Sequence, residues 1–180
     1  MPIHNKYPNL THLDVVTHVD NEFDRDILTR EQFDVNLRLC RTSPWYRSIV
    51  ESCCNYIREC AITTRSGYKK PHGFSGANAG IPFRIIALAD GTVMINPRYV
   101  GIHPDSESQP QRQSESNCGS LTLKRPIQIW RYTNVDVEYF DIDGKRYLVS
   151  GYLPTVQHEI DHCDGILITD RTDKQFDDER

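Results

Sequence analysis

The chain has 180 residues, 38% of them hydrophobic and 26% charged, a composition that suits one ordinary packed domain and excludes wholesale disorder. Its net charge of −4 argues against a specific nucleic-acid partner, because phosphate neutralisation needs a basic face. The longest apolar run, residues 85–89, is far shorter than the roughly 20 residues of a membrane helix. We therefore expect no membrane partner.

Residues 1–28 show little periodicity and many acidic side chains, so they are predicted to form an irregular N-terminal arm. They contain neither a basic-then-apolar leader nor the acid-poor composition of a transit peptide, which favours a cytoplasmic location. The six cysteines form no CxxC pair, so we expect reduced thiols.

Helix signals follow the arm. Thr29 and Gln32 have capping-box spacing and predict a short helix there. Ser43 is a suitable N-cap and Pro44 a suitable first helical residue. Apolar residues then recur at helical spacing and predict an amphipathic helix of about 17 residues.

The second half of the chain is predicted to be rich in strands, separated by Asp90-Gly91 and Asp143-Gly144 turns. The predicted strands are residues 83–88, 92–95, 127–132, 135–140 and 145–149. The polar segment 104–117 is predicted to be a solvated loop, and 154–163 a helix that stops at Gly165. The strands cluster without βαβ alternation, so the predicted class is α+β with mostly antiparallel sheet.

The sequence from His158 to His162 contains HExxH. Positions i and i+4 share one face of a helix, so both imidazoles can bind one metal, and Glu159 can carry protons beside it. The alternative without a metal is that two histidines simply share a helix face near a charged residue. The motif places this helix at the centre of the predicted fold.

A catalytic metal site usually has three protein ligands, and the downstream sequence offers poor choices for the third. Ile168 stands where an extended motif would have histidine, and Glu179 lies in the charged tail, residues 170–180, which we expect to be frayed. Cys118 is the best upstream candidate, although a lone cysteine is more often a small core residue. Thiolate and imidazole ligands tolerate zinc or iron.

The segment 73–82 is rich in small residues and is not a phosphate loop. Such residues let a backbone approach a substrate or metal closely, although a flexible surface turn has the same composition.

Together these elements resemble the peptide deformylase family over residues 45–169. The family's third motif, QHExDH, is matched in full by residues 157–162, and its second, EGCLS, in part by Cys118 and Ser120. The sequence GIPFR at residues 80–84 looks like the flank of the first motif, GxGxAAxQ. That register puts Gly73 on the motif's second glycine and Asn78 on its glutamine.

The resemblance implies an enzyme that removes formyl from the N-terminal methionine of new proteins and releases formate. It implies that His158, His162 and Cys118 hold one metal ion, Fe(II) first, with Zn, Ni or Co as alternatives. Glu159 would be general base and then general acid. The implied oxyanion donors are Asn78 and the backbone N–H of Gly119, and the implied substrate pocket includes Gly73, Phe74 and Gly76.

The implied partners are N-formylmethionyl peptides or nascent chains, bound by a single catalytic domain of residues 29–169. Bacterial members dock on the ribosome through a longer C-terminal helix, so the short acidic tail argues against that contact here. Asn78 in place of glutamine and Gly119 in place of leucine motivate two alternatives: a hydrolase for another N-acyl substrate, and a non-catalytic metal-binding module. An HExxH endopeptidase is a fourth reading, weakened by the missing downstream ligand.

Overall fold

A computed structural model describes residues 22–63, 73–103, 111–115 and 127–171. The α-helices are α1 (Glu22–Leu28), α2 (Leu37–Thr42), α3 (Pro44–Ile62) and α4 (Pro154–Cys163). The strands are β1 (Gly73–Ser75), β2 (Ile85–Leu88), β3 (Val93–Ile102), β4 (Gln111–Glu115), β5 (Ile127–Arg131), β6 (Val135–Phe140) and β7 (Arg146–Gly151). Short 3₁₀ turns lie at Ala77–Ala79 and Ile168–Arg171.

Five strands form an antiparallel sheet in the order β1-β2-β3-β6-β7, with α3 on one face and α4 on the other. Strand β2 shows how both faces are filled. Ile85 and Ala87 join the core under α3, whereas Ile86 packs with Val156 and Ile160 of α4. A strand covered on both sides needs a continuous apolar run, which β2 has. The predicted α+β class with antiparallel sheet is confirmed.

The start of α3 follows its sequence signals. The side chain of Ser43 accepts a hydrogen bond from the Tyr46 N–H at 3.3 Å, and Pro44 occupies the first turn. The helix has 19 residues and buries Val50 and Ile57 against the sheet. The predicted amphipathic helix is confirmed.

Strands β4 and β5 form a separate two-stranded antiparallel sheet, which we call the β4–β5 ribbon. Its register pairs Gln111 with Arg131 and Glu115 with Ile127. The prediction of a loop over 104–117 is therefore wrong for residues 111–115. The sequence QRQSE lacks alternating apolar residues, and only the ladder to β5 makes it a strand.

Two predictions near the N-terminus are wrong. Residues 22–28, assigned to an irregular arm, form α1, whose Leu28 is buried against Ala77 and Leu167. No helix begins at Thr29, because the Gln32 N–H donates to the Cys163 carbonyl at 2.8 Å and its side chain to a nearby carbonyl. Residues 1–21 lie outside the described ranges.

The chain beyond α4 is ordered further than predicted. Residues 170 and 171 belong to the second 3₁₀ turn, and Asp170 accepts a hydrogen bond from the Leu167 N–H at 2.9 Å. The prediction of a frayed tail is wrong for these two residues, and 172–180 lie outside the described part. None of the described helices is both long and apolar enough to cross a bilayer.

Two partly buried thiols on α3, those of Cys53 and Cys54, should make the stability of the fold sensitive to alkali. Among the described residues, the cysteines free of disulfides are Cys40, Cys53, Cys54, Cys60 and Cys163. Burial raises the pKa of Cys53 from 9.0 to about 11 and that of Cys54 to about 12. The unfolded chain therefore loses these protons first.

We expect the free energy of unfolding to fall as the pH rises above 9.0 and through the raised pKa values of Cys53 and Cys54. Urea unfolding at about pH 8 and about pH 10 would measure the decrease. In the double variant Cys53→Ala/Cys54→Ala the decrease should be smaller. An equal decrease would contradict the role of these thiols.

Candidate active site

Helix α4 runs from Pro154 to Cys163, as the sequence predicts. Gly165, with a φ of 73°, ends it, and the Ile166 N–H returns to the Asp161 carbonyl at 2.8 Å. A Cβ at Gly165 would lie 2.6 Å from the Thr29 carbonyl oxygen, so the chain preceding α2 packs directly on this helix end.

The helix brings His158 and His162 together. Their ring centroids are 4.8 Å apart and the rings are nearly perpendicular, at 87°. His162 is buried, whereas His158 is partly exposed. This donor set fits a borderline transition metal, because imidazole suits iron, zinc and nickel alike.

The described residues supply two of the three expected ligands. Within ranges 22–63, 73–103, 111–115 and 127–171, no group of three or more His, Cys, Asp or Glu side chains can hold a metal. The predicted third ligand, Cys118, lies outside those ranges, as does Gly119. Their roles stay predictions.

Strand β1 lies against the buried Glu159, which is 4% exposed. A Cβ built on Gly73 would meet Thr155 Cγ2 at 2.8 Å, Glu159 Cγ at 2.9 Å and Glu159 Oε1 at 3.0 Å. Only glycine fits this approach without displacing the carboxylate. The structure thus brings Gly73 and Glu159 together.

Asn78 sits in the first 3₁₀ turn, which packs on α4. Its side chain is buried, and Oδ1 accepts hydrogen bonds from the Ser75 N–H at 3.1 Å and from Ser75 Oγ at 2.5 Å. These two bonds fix the orientation of the amide and make its NH₂ end the donor. The sequence had suggested a donor role for Asn78 but not its anchor.

The other two predicted pocket residues are placed differently. A Cβ on Gly76 would overlap the Phe83 carbonyl oxygen, so this glycine is required by its own loop. Phe74 packs into the core on the α3 side of the sheet, away from α4. A pocket role for either residue stays a prediction.

A buried charge network behind the histidines was not predicted. Arg131 Nη1 donates to Asp161 Oδ2 at 2.5 Å, and Arg171 Nη2 donates to Asp161 Oδ1 at 2.7 Å. Arg131 and Asp161 are each only 2% exposed, so the pair is protected from water. Arg131 Nη2 also lies 3.4 Å from His158 Nδ1, so the network reaches the candidate ligand.

A second unpredicted contact joins α4 to Tyr132, the residue that follows β5. Gln157 Oε1 accepts a hydrogen bond from the Tyr132 N–H at 2.9 Å, and Gln157 Nε2 donates to the Tyr132 carbonyl at 2.9 Å. We call this pair of bonds the amide clasp. Gln157 and Asp161 are four positions apart and so share one face of the helix, and both are letters of the matched motif, which was the available sequence signal.

Arg84, which ends the GIPFR sequence, holds the far end of the same helix. Its guanidinium donates to Asp164 at 2.5 Å and to the Pro97 carbonyl at 2.9 Å, and it is 2% exposed. The helix is therefore fixed at its C-terminus through Arg84 and nearer its N-terminus through Gln157.

The sequence model of the family described as polypeptide deformylase matches residues 60–177, well over half of the chain. This chain belongs to the polypeptide deformylase family. The match includes α4, β1 and the ribbon, the elements that form the site. The family recognised from the motifs is confirmed.

Curated relatives align over part of their length. The peptide deformylase of Streptococcus agalactiae serotype Ia is 35% identical over 86 residues, which are 46% of this chain and 41% of that protein. The Streptococcus pneumoniae (strain Hungary19A-6) enzyme of the same name is 34% identical over an equal stretch. The chain thus spans less than half the length of the curated deformylases it matches.

Solved structures share the deformylase fold. An inhibitor complex of Plasmodium falciparum peptide deformylase has a TM-score of 0.63 at 23% identity, covering 89% of this chain and 90% of that one. Met-Ala-Ser-bound class I type b peptide deformylase from Acinetobacter baumannii also has a TM-score of 0.63, at 21% identity, covering 87% and 97%. At such identities the likeness concerns the fold alone.

Proposed function

We propose that this chain is a peptide deformylase, a metal-dependent hydrolase that removes the N-formyl group from N-terminal formylmethionine and releases formate. The observation that carries the proposal is the family's QHExDH motif on a buried helix, with Glu159 held against Gly73 and two histidines one turn apart. The catalytic domain would be residues 29–169, working in the cytoplasm.

One divalent metal would be held by His158, His162 and Cys118. Fe(II) is the metal we favour, and Zn, Ni and Co are the alternatives. The bound metal would supply a Lewis acid that polarises the formyl oxygen and activates a water molecule. Two imidazoles and a thiolate would be the three protein ligands usual for a catalytic metal.

Glu159 would move the protons. Its carboxylate takes a proton from the attacking water as the new C–O bond forms, and then gives it to the amide nitrogen as the C–N bond breaks. Formate and a free methionine amine are the products. Burial of Glu159 keeps bulk water from competing for this proton.

Asn78 and the backbone N–H of Gly119 would donate to the formyl oxygen, where negative charge develops. The two bonds from Ser75 support this role for Asn78, because they orient its NH₂ group before any substrate binds. A preorganised donor needs no reorganisation in the transition state.

The proposed partners are N-formylmethionyl peptides. The Acinetobacter baumannii neighbour was crystallised with Met-Ala-Ser, a methionine-initial tripeptide. We expect no specific nucleic-acid partner, because the net charge is −4.

Formate release from a formyl-Met tripeptide tests the proposal. The protein should be purified without oxygen, because an iron-bound thiolate oxidises readily, and loaded in parallel with Fe(II), Ni(II) and Zn(II). The comparison substrate is the same tripeptide with an N-acetyl group, and its turnover is followed as release of acetate. Turnover of the formyl peptide well above that of the acetyl peptide supports a deformylase. Equal or faster turnover of the acetyl peptide would favour a hydrolase for other N-acyl substrates.

Gly73→Ala should lower formate release on the order of tenfold to a hundredfold, because a small misplacement of a catalytic group is costly. The new methyl group would push on Glu159 at 2.9–3.0 Å. The matched control is Gly101→Ala on β3, whose Cβ would meet Asp136 Oδ2 at 2.9 Å, outside the site. Equal activity of the two variants would contradict the close fit.

A further inference from the structure

Helix α1 lies against the 3₁₀ turn Ala77–Ala79, which carries Asn78. Leu28, the last residue of this helix, is fully buried and forms an apolar cluster with Ala77 and Leu167, which are buried as well. Ala77 immediately precedes Asn78 in the chain. The side chain of Leu28 therefore packs one residue away from the proposed oxyanion donor.

Hydrogen bonds hold the polar side of this turn. The Gly76 N–H donates to the Ile85 carbonyl at 2.8 Å, which ties the start of the turn to β2. The two bonds from Ser75 set the rotation of the Asn78 amide. None of these bonds fills the space beside the methyl group of Ala77, which the apolar cluster occupies.

A protein interior is close-packed, so an empty space beside a buried group lets the surrounding chain shift. We infer that Leu28 is a positioning residue for deformylation: it keeps the turn in its place beside α4, and with it the amide that would donate to the formyl oxygen. Residues 22–28 precede the family match, so the match itself assigns them no part in the site. The inference rests on the proposed oxyanion role of Asn78.

Leu28→Ala opens space beside Ala77 and leaves Asn78, Glu159 and the proposed metal ligands unchanged. Leu28→Met keeps most of the side-chain volume and should restore the function. The matched control is Ile95→Ala, which removes the same number of carbon atoms from the core under α3. Ile95 lies on β3, and β2 separates that strand from β1.

Steady-state formate release is measured on the full-length protein, at a temperature where each variant is folded. Leu28→Ala should lower kcat about 10- to 100-fold with little change in KM, because a small misplacement of a catalytic group is costly. Leu28→Met and Ile95→Ala should stay near the wild type. In the Asn78→Asp background, Leu28→Ala should lower kcat by less than about twofold, because the group that it places is already gone.

A second measurement needs no catalysis. In isotope-labelled full-length protein loaded with Zn(II), the side-chain amide NMR signals of Asn78 are identified by their loss in Asn78→Asp. These signals should shift or broaden in Leu28→Ala and stay in place in Ile95→Ala.

An equal loss of kcat in the wild-type and Asn78→Asp backgrounds, or unshifted Asn78 signals, would overturn the inference and leave the deformylase proposal standing. A wild type that releases no formate would overturn the proposed function, whereas shifted Asn78 signals in Leu28→Ala would still support the placement of the turn by Leu28. If Leu28→Ala does not fold, Leu28→Val removes less volume and should show the same two changes to a smaller degree.

Discussion

Replacing Glu159 by glutamine is expected to lower formate release about 100- to 10,000-fold, the range that a general acid–base group usually contributes. Glutamine has almost the same shape, so it should fill the buried space beside Gly73 without repacking. It cannot accept the proton of the attacking water. The metal should remain bound, because the ligands are unchanged.

Metal content and steady-state kinetics, measured on the same preparation, distinguish a loss of proton transfer from a loss of bound metal. The matched control is Glu51→Gln on α3, which changes a partly exposed carboxylate paired with Arg47 on the other face of the sheet. It should keep wild-type activity. Near-normal turnover by metal-loaded Glu159→Gln would remove Glu159 from its proposed role.

Asn78→Asp is expected to lower kcat about 100- to 1,000-fold, the usual cost of losing one oxyanion donor. The aspartate can still accept the two hydrogen bonds from Ser75, so the turn should keep its conformation. The NH₂ donor is replaced by an oxygen, which would repel the developing charge. The loss should appear in kcat more than in KM.

Ser75→Ala is the companion variant. It removes the 2.5 Å bond from Ser75 Oγ to Asn78 but keeps the donor and the backbone bond, so only a modest loss of activity is expected. If Asn78→Asp were as active as the wild type, Asn78 would serve only to hold its turn.

The elements that begin or end at a characteristic residue, such as proline or glycine, were predictable from sequence. Helices α3 and α4 have proline in their first turn, and α4 stops at the positive-φ Gly165. Strand β6 alternates buried and half-buried residues, as its sequence indicates. In each case the signal lies within a few residues of the element that it defines.

Elements that depend on a distant partner were missed. Strand β4 is polar and exists through its ladder to β5, and α1 is held by Leu28 against residues much later in the chain. The capping box at Thr29 failed because Gln32 bonds with the end of α4 instead. No local pattern encodes these contacts.

The site shows the same division. The motif gave the histidines and Glu159 directly, and the resemblance gave Asn78. The buried arginines were missed because arginine is usually exposed, and the partner of Arg131 lies 30 positions away. Gln157 was visible only as a motif letter until its bonds to Tyr132 supplied a physical reason.

The position of α3 separates the unit of homology from the unit of folding. The family match begins at residue 60, in the last turn of α3, whereas Val50 and Ile57 earlier in that helix cover Ile85 and Ile95 of the sheet. A fragment cut at the start of the match would expose this face to water and lose its transfer free energy. The start of the family match is therefore not a boundary at which the chain can be divided without disturbing the fold.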